Sequence, residues 1–387
     1  MFFYVLSLLY IRPFSLLTGA MHIFLVVSYV LGGWLKSKCN SINNVNCIDI
    51  WFLVFIAYTL FNFALFFESS TYVKKIYYLP FLVLAPYFGI QMLDGIKNAN
   101  KFINITWVIP FILLIPFIYE FISSDNSAHM YIINFYDEDG NIYRGAYQLI
   151  SITYSIGVIV SFTKIYYSLY NKSNKNSILY FVLIPIFLFF IIGSASRGTL
   201  ISLFTTLIMF ILFESNIRFK IKCVISIFLF SLPLAYVLPY ENLMYYVDSL
   251  LIEGSASITI LGRLSGYNIA INEFIDNIIF GVGYGNSKTF FAHNVFIEVL
   301  SELGIIGFLL FCILLISVFK TIIKIKKHNI MNSEIKYLYI FIILLIGFAF
   351  IKLNFTGGLS IHGMHFFYSI GFLSFLDKYM LNFRKCQ

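Results

Sequence analysis

Three arginines and one histidine are the groups in this chain best suited to chemistry at a membrane surface. His293-Asn294 lies where a long polar loop meets an apolar run, and Gly304-Ile305-Ile306-Gly307 follows after nine residues. Small residues at that spacing let a membrane helix pack closely against a neighbour. An imidazole placed there could act as a general base, as a phosphate partner, or as a satisfied interface histidine. Arg263, beside Gly262, opens a stretch in which Leu264, Tyr267, Ile271, Phe274 or Ile275, and Ile278 recur at spacings of three and four, opposite Ser265, Asn268, Asn272 and Asp276. That pattern predicts an amphipathic helix on the membrane surface or on the bundle. A guanidinium fork beside the free N–H groups of a helix start would cradle a diphosphate. The plainer reading of Arg263 is a solvated loop residue. Arg197, in Gly193-Ser194-Ala195-Ser196-Arg197-Gly198-Thr199, falls between two apolar runs joined by almost no loop. An arginine at that depth is costly unless it is paired or faces water. It either snorkels to the interface or waits as a fixed charge for an anionic ligand.

The third arginine and several other polar residues line up around these. Arg144 enters a span from the shorter polar loop, as a further phosphate contact or an interface anchor. Asn294 and Tyr267 fall within reach of the same region. Glu298 and Glu302, four apart on one helix, could bind cations, hold the loop, or cap a partly exposed helix start. His362 and His365 precede the last span as candidate pocket walls, although structural roles suit both, as they suit Lys352 within a span. Gly281-Val282-Gly283-Tyr284-Gly285 reads as a flexible link and not a dinucleotide fingerprint, since no strand precedes it. Cys39, Cys47, Cys223, Cys312 and Cys386 fit no strong metal spacing and read as structural or incidental.

These residues need a membrane scaffold. Of 387 residues, 60% are hydrophobic and 11% charged, with mean hydropathy +0.87. A soluble domain of this length does not carry so much apolar surface. The pattern predicts an all-α polytopic bundle with spans near 14–34, 48–67, 76–93, 102–122, 147–170, 178–195, 199–213, 223–239, 293–319, 337–355 and 360–380, so eleven, or twelve if the apolar residues 1–11 add a half-helix. Residues 1–11 do not read as a cleaved signal, having no basic start and no small-residue cleavage site. Putting the C-terminus inside places 18 of the 26 lysines and arginines on the inner face. The outer face then holds two long loops, 123–146 and 240–292, the second containing short amphipathic helices. The whole of 1–387 reads as one integral membrane domain. The net charge of +8 comes from the inner face, where it meets anionic lipid and not nucleic acid. No phosphate-binding loop motif occurs, and neither an internal repeat nor matched broken spans mark a transporter.

His293-Asn294 followed by Gly304-x-x-Gly307, with Gly262-Arg263, Gly281-Val282-Gly283 and Ser196-Arg197-Gly198 in order upstream, resembles the O-antigen polymerase and O-antigen ligase superfamily. The resemblance is specific over 193–320 and architectural elsewhere; Tyr267 stands where the family usually has Trp. It implies a GT-C-type membrane glycosyltransferase that needs neither metal nor cofactor. The implied substrates are sugars carried on undecaprenyl diphosphate at the periplasmic face of the bacterial inner membrane. It implies catalytic roles for His293, Arg263 and Arg197, and substrate contacts from Arg144, Asn294, Tyr267, Glu302 and His362. A chain-length regulator protein is a candidate partner. A polymerase would join one lipid-linked repeat to another, and a ligase would move the finished chain to lipid A-core. A non-enzymatic flippase for lipid-linked sugars is the contrasting class, and it predicts polar groups along a path through the membrane.

Overall fold

A chain at bilayer depth has to satisfy its backbone N–H and C=O groups from within, so its apolar runs become helices. The computed structural model describes residues 45–67, 76, 79–93, 95–123, 135–136, 142–143, 147–170, 177–193, 196–213, 258–289, 292–327, 332–356, 359 and 363–385. Among these residues the α-helices are α1 (Cys47–Leu65), α2 (Ala85–Gln91), α3 (Gly95–Ser123), α4 (Tyr147–Tyr170), α5 (Ser177–Gly193), α6 (Arg197–Phe213), α7 (Ile258–Asp276), α8 (Val295–Lys326), α9 (Ser333–Thr356) and α10 (Met364–Lys385). α1, α8 and α9 are long and apolar enough to cross a membrane, and shorter apolar helices occupy Leu82–Gln91, Leu179–Ile192 and Gly198–Phe213. The chain is an all-α polytopic membrane helix bundle. The predicted spans 14–34 and 223–239 lie outside the described residues, as does most of the loop 123–146. Within that loop two antiparallel strands of two residues each, β1 (Phe135–Tyr136) and β2 (Ile142–Tyr143), make a small hairpin.

The predicted span 76–93 departs from a plain helix. A π-helical segment, Leu79–Leu84, precedes α2. Pro80 and Pro86 explain it, because each lacks the N–H that an α-helical bond at its position requires.

The described residues fall into two compact units. In the first, 96–254 with 332–344, α4 packs on α5, and the close approach is made at Gly157. A Cβ there would stand 3.0 Å from both the Phe187 ring and Pro110. Trp107 donates its indole N–H to Ser161 Oγ at 3.0 Å, and Lys164 lies 4.4 Å from the Trp107 ring centre. The start of α6 is fixed by hydroxyls: Thr199 Oγ1 stands 2.6 Å from Ser196 Oγ and 3.0 Å from Ser151 Oγ, all buried.

The second unit comprises 23–95, 255–331 and 345–387. Asn46 caps α1 in a capping box with Asp49, its side chain accepting from the Asp49 N–H. α10 meets α2 at Gly371, where a Cβ would lie 2.5 Å from the Tyr87 carbonyl oxygen. Buried Asp49 pairs with Lys378 at 2.6 Å and also accepts from Tyr87 Oη and Ser374 Oγ at 2.6 Å and from Gln91 Nε2 at 3.0 Å. Asp377 pairs with Lys324 at 2.6 Å. Each of these two carboxylates thus meets an opposite charge.

Candidate functional site

α7 begins at Ile258, five residues before Arg263. This corrects the expected cradle: Arg263 sits inside the helix, so only its side chain is available to an anion. The side chain is half-buried, and its Nε is buried with no hydrogen bond among the described residues. Tyr267 follows one turn later, also half-buried. The amphipathic reading of this helix holds, with Leu264, Ile271 and Ile275 exposed as an apolar sector and Ser265, Asn268, Asn272 and Asp276 exposed beside it. Ala270 and Glu273 turn inward.

The glycine-rich segment after α7 is not a flexible link. Gly281, Gly283 and Gly285 are buried and have φ of 71°, 99° and 85°, a region that glycine enters without steric cost. Gly304 breaks α8 in the same way, with φ 64° and ψ −166°. The two glycine sites face each other. A Cβ on Gly281 would lie 2.5 Å from the Glu302 carbonyl carbon, and one on Gly304 would collide with the Ile279 carbonyl oxygen. Close approach lets the backbones hydrogen-bond: Val282 N–H to Ser301 O at 2.9 Å, Gly283 N–H to Glu302 O at 3.0 Å, and Ile305 N–H to Ile278 O at 2.9 Å, with a longer contact from Ile306 N–H to Ile279 O at 3.5 Å. Tyr58 Oη donates to Leu303 O at 2.9 Å. A helix break inside a membrane protein exposes polar backbone, and here the groups around Gly304 find partners. Gly307 then admits Tyr58, whose ring would lie 3.1 Å from a Cβ at that position. Past the break α8 continues to Lys326, about 33 Å at 1.5 Å per residue, enough to cross a hydrocarbon core of about 30 Å.

Side chains lock this loop further. Asn62, fully buried, donates to Phe280 O at 2.7 Å and accepts from Tyr284 N–H at 2.8 Å. Asn286 Nδ2 donates to Phe66 O at 2.7 Å. Glu302, 2% exposed, accepts from Gly285 N–H at 3.2 Å through Oε2, which matches the loop-holding alternative for that residue. Glu273 accepts from Ser287 Oγ, Ser301 Oγ and Lys288 N–H, each at 2.7 Å. The periodicity around Arg263 gave no hint of Asn62 or Glu273, because their partners are distant in sequence.

The rigid frame delivers His293 to the start of α8. Asn294 is the N-cap: its Oδ1 accepts from Phe296 N–H at 3.0 Å and Ile297 N–H at 3.2 Å. Glu298, buried in the first turn, sits where the helix dipole favours an acid. His293 is half-buried with φ 52°, a left-handed conformation that costs an L-residue roughly 1–2 kcal/mol. Its imidazole is held below the ordinary value of 6.5, first by desolvation and then by the positive charge of Arg263. The ring is therefore neutral at pH 7 and able to accept a proton. The Arg263 charge also reaches Lys352, which is 3% exposed on the second part of α9. Arg263, His293 and Lys352 all belong to the second unit, with the Arg263 charge common to the other two. Lys352, read from sequence as structural, meets the Arg263 charge through the fold alone.

The remaining predicted residues fall in other elements or outside the described residues. Arg197 is the first residue of α6, in the first unit, directly after Ser196. Arg144 and His362 lie outside the described residues. His365 is half-buried at the second position of α10.

Residues 181–312 match the sequence pattern of a family described as O-antigen ligase. The match spans about a third of the chain and supports its resemblance to the O-antigen ligase and polymerase superfamily. Members of the superfamily are glycosyltransferase-like membrane enzymes that handle lipid-linked polysaccharide. The superfamily match takes in Arg197, Arg263, His293 and Gly304-Gly307, and it ends before Lys352. Among curated proteins, none matches the chain significantly.

Proposed function

We propose that the chain is an O-antigen (surface polysaccharide) polymerase, a single GT-C-type membrane domain acting at the periplasmic face of the inner membrane. It transfers the growing glycan from undecaprenyl diphosphate to a hydroxyl of the next lipid-linked repeat unit. The observation that carries this reading is His293, half-buried at the start of a membrane helix, within reach of the Arg263 charge. The acceptor oxygen bonds to the anomeric carbon as the bond from that carbon to the phosphate oxygen breaks. His293 takes the hydroxyl proton, and the diphosphate leaves with the bonding electron pair. Negative charge grows on the phosphate oxygens during this step, and fixed cations in a poorly solvated site stabilise it most effectively. Arg263 supplies the positive charge that meets it, with Lys352 as a second basic group in the same unit. No metal is required in this scheme. Tyr267, one turn from Arg263, offers an aromatic face to the sugar or the carrier, and Arg144 and His362 are further candidate contacts. Asn294 acts chiefly by capping the helix that presents His293.

The description of the matched family favours a second reading, ligation of finished polymer to lipid A-core. Lipopolysaccharide from a deletion strain separates the two. Cores carrying a single repeat unit identify the polymerase. Bare cores with accumulating lipid-linked polymer identify the ligase. Normal long chains would overturn both.

A further inference from the structure

We propose that Glu273 is a positioning residue that holds the His293 loop in register with the Arg263 helix. The inference rests on the functional reading above and deepens it. Glu273 lies on α7, ten residues after Arg263, and is 8% exposed. Its Oε2 accepts from Ser287 Oγ and Ser301 Oγ, both at 2.7 Å, and its Oε1 accepts from the Lys288 backbone N–H at 2.7 Å. One carboxylate thereby joins three segments: the helix bearing Arg263, the loop leading to His293, and the part of α8 that follows His293.

The choice of a carboxylate is informative. Burying one is costly unless its lone pairs are filled. An apolar side chain would fill the same space at a lower desolvation cost, but it would impose no direction. Three short bonds to two hydroxyls and an amide fix distance and angle together. The Arg263 charge acts directly on the His293 ring, although the two residues are thirty positions apart. Their spacing is set by how firmly the intervening loop is fastened to α7, and Glu273 is the fastening that touches α7, the loop and α8 at once.

The test uses the full-length protein in lipid nanodiscs with lipid-linked repeat units as substrate. Glu273→Gln keeps the shape but halves the acceptor capacity. We expect turnover per folded molecule to fall about 10²-fold, the effect of misplacing a reacting group by about 1 Å. Amide exchange in 284–289 and 292–296 should rise about tenfold while 364–385 keeps its native exchange, since the opening is local. Native turnover and exchange in Glu273→Gln, with Arg263→Ala and His293→Ala inactive, would overturn the inference alone. Exchange raised throughout the second unit would overturn it too, because that outcome marks a purely structural role. Native rates from Arg263→Ala and His293→Ala would overturn the functional reading, and the inference with it.

Discussion

The second unit holds two charged centres built on opposite rules. At one, Asp49 and Asp377 each meet a lysine at 2.6 Å, and tyrosine, serine and glutamine fill the Asp49 lone pairs. At the other, the Arg263 charge reaches both the His293 imidazole and the Lys352 amine. The first is a closed network that ties α1, α2, α8 and α10 together. The second sets an imidazole and an amine in the field of one guanidinium, the arrangement proposed above to meet an anion. The first centre serves the fold by pairing charges across four helices, and the second is the one proposed to serve the reaction.

Breaking each centre should give opposite phenotypes. The largest effect is expected from Arg263→Ala or His293→Ala: turnover of lipid-linked repeat down about 10³-fold, with protein level and melting temperature unchanged. Arg263→Lys should be nearly as poor, since the charge stays but the bidentate fork is lost. Polymer ladders on lipopolysaccharide gels, with immunoblots for protein, report both. Lys352→Met should come next, with turnover down about tenfold and a raised KM for the lipid donor in nanodisc assays; unchanged kinetics would remove Lys352 from the site. At the closed centre, Asp49→Asn should cost about 3 kcal/mol of stability by leaving Lys378 buried without its partner. Detergent melting curves would record the loss, while turnover per folded molecule stays native. The smallest effect concerns pH. Because the His293 value is lowered, the neutral proton acceptor persists below 6.5. Turnover should hold through neutrality and fall only on the acid side of 6.5. A midpoint above 6.5 would argue that another group accepts the proton.

The spans were legible because bilayer crossing demands apolar runs of about 20 residues, a local property of the sequence. Each predicted span that falls on described residues is helical, with 76–93 altered by Pro80 and Pro86. Arg263 and His293 were legible because cations and imidazoles stand out in so apolar a chain. The loop between them was misread. Glycine content at 281–285 looks the same in a flexible link and in a packed turn, and what separates them is backbone pairing with Ser301–Ile306, twenty residues away. Lys352 was set aside for a similar reason, since nothing near it in sequence announces Arg263. Glu273 and Asn62 were invisible as clamps because their partners lie on other segments.

The backbone bonds between Ile278–Gly283 and Ser301–Ile306 bear on how such proteins can vary. With both ends of the intervening stretch stitched to each other, a deletion or insertion close to either seam would break those bonds and turn the histidine away.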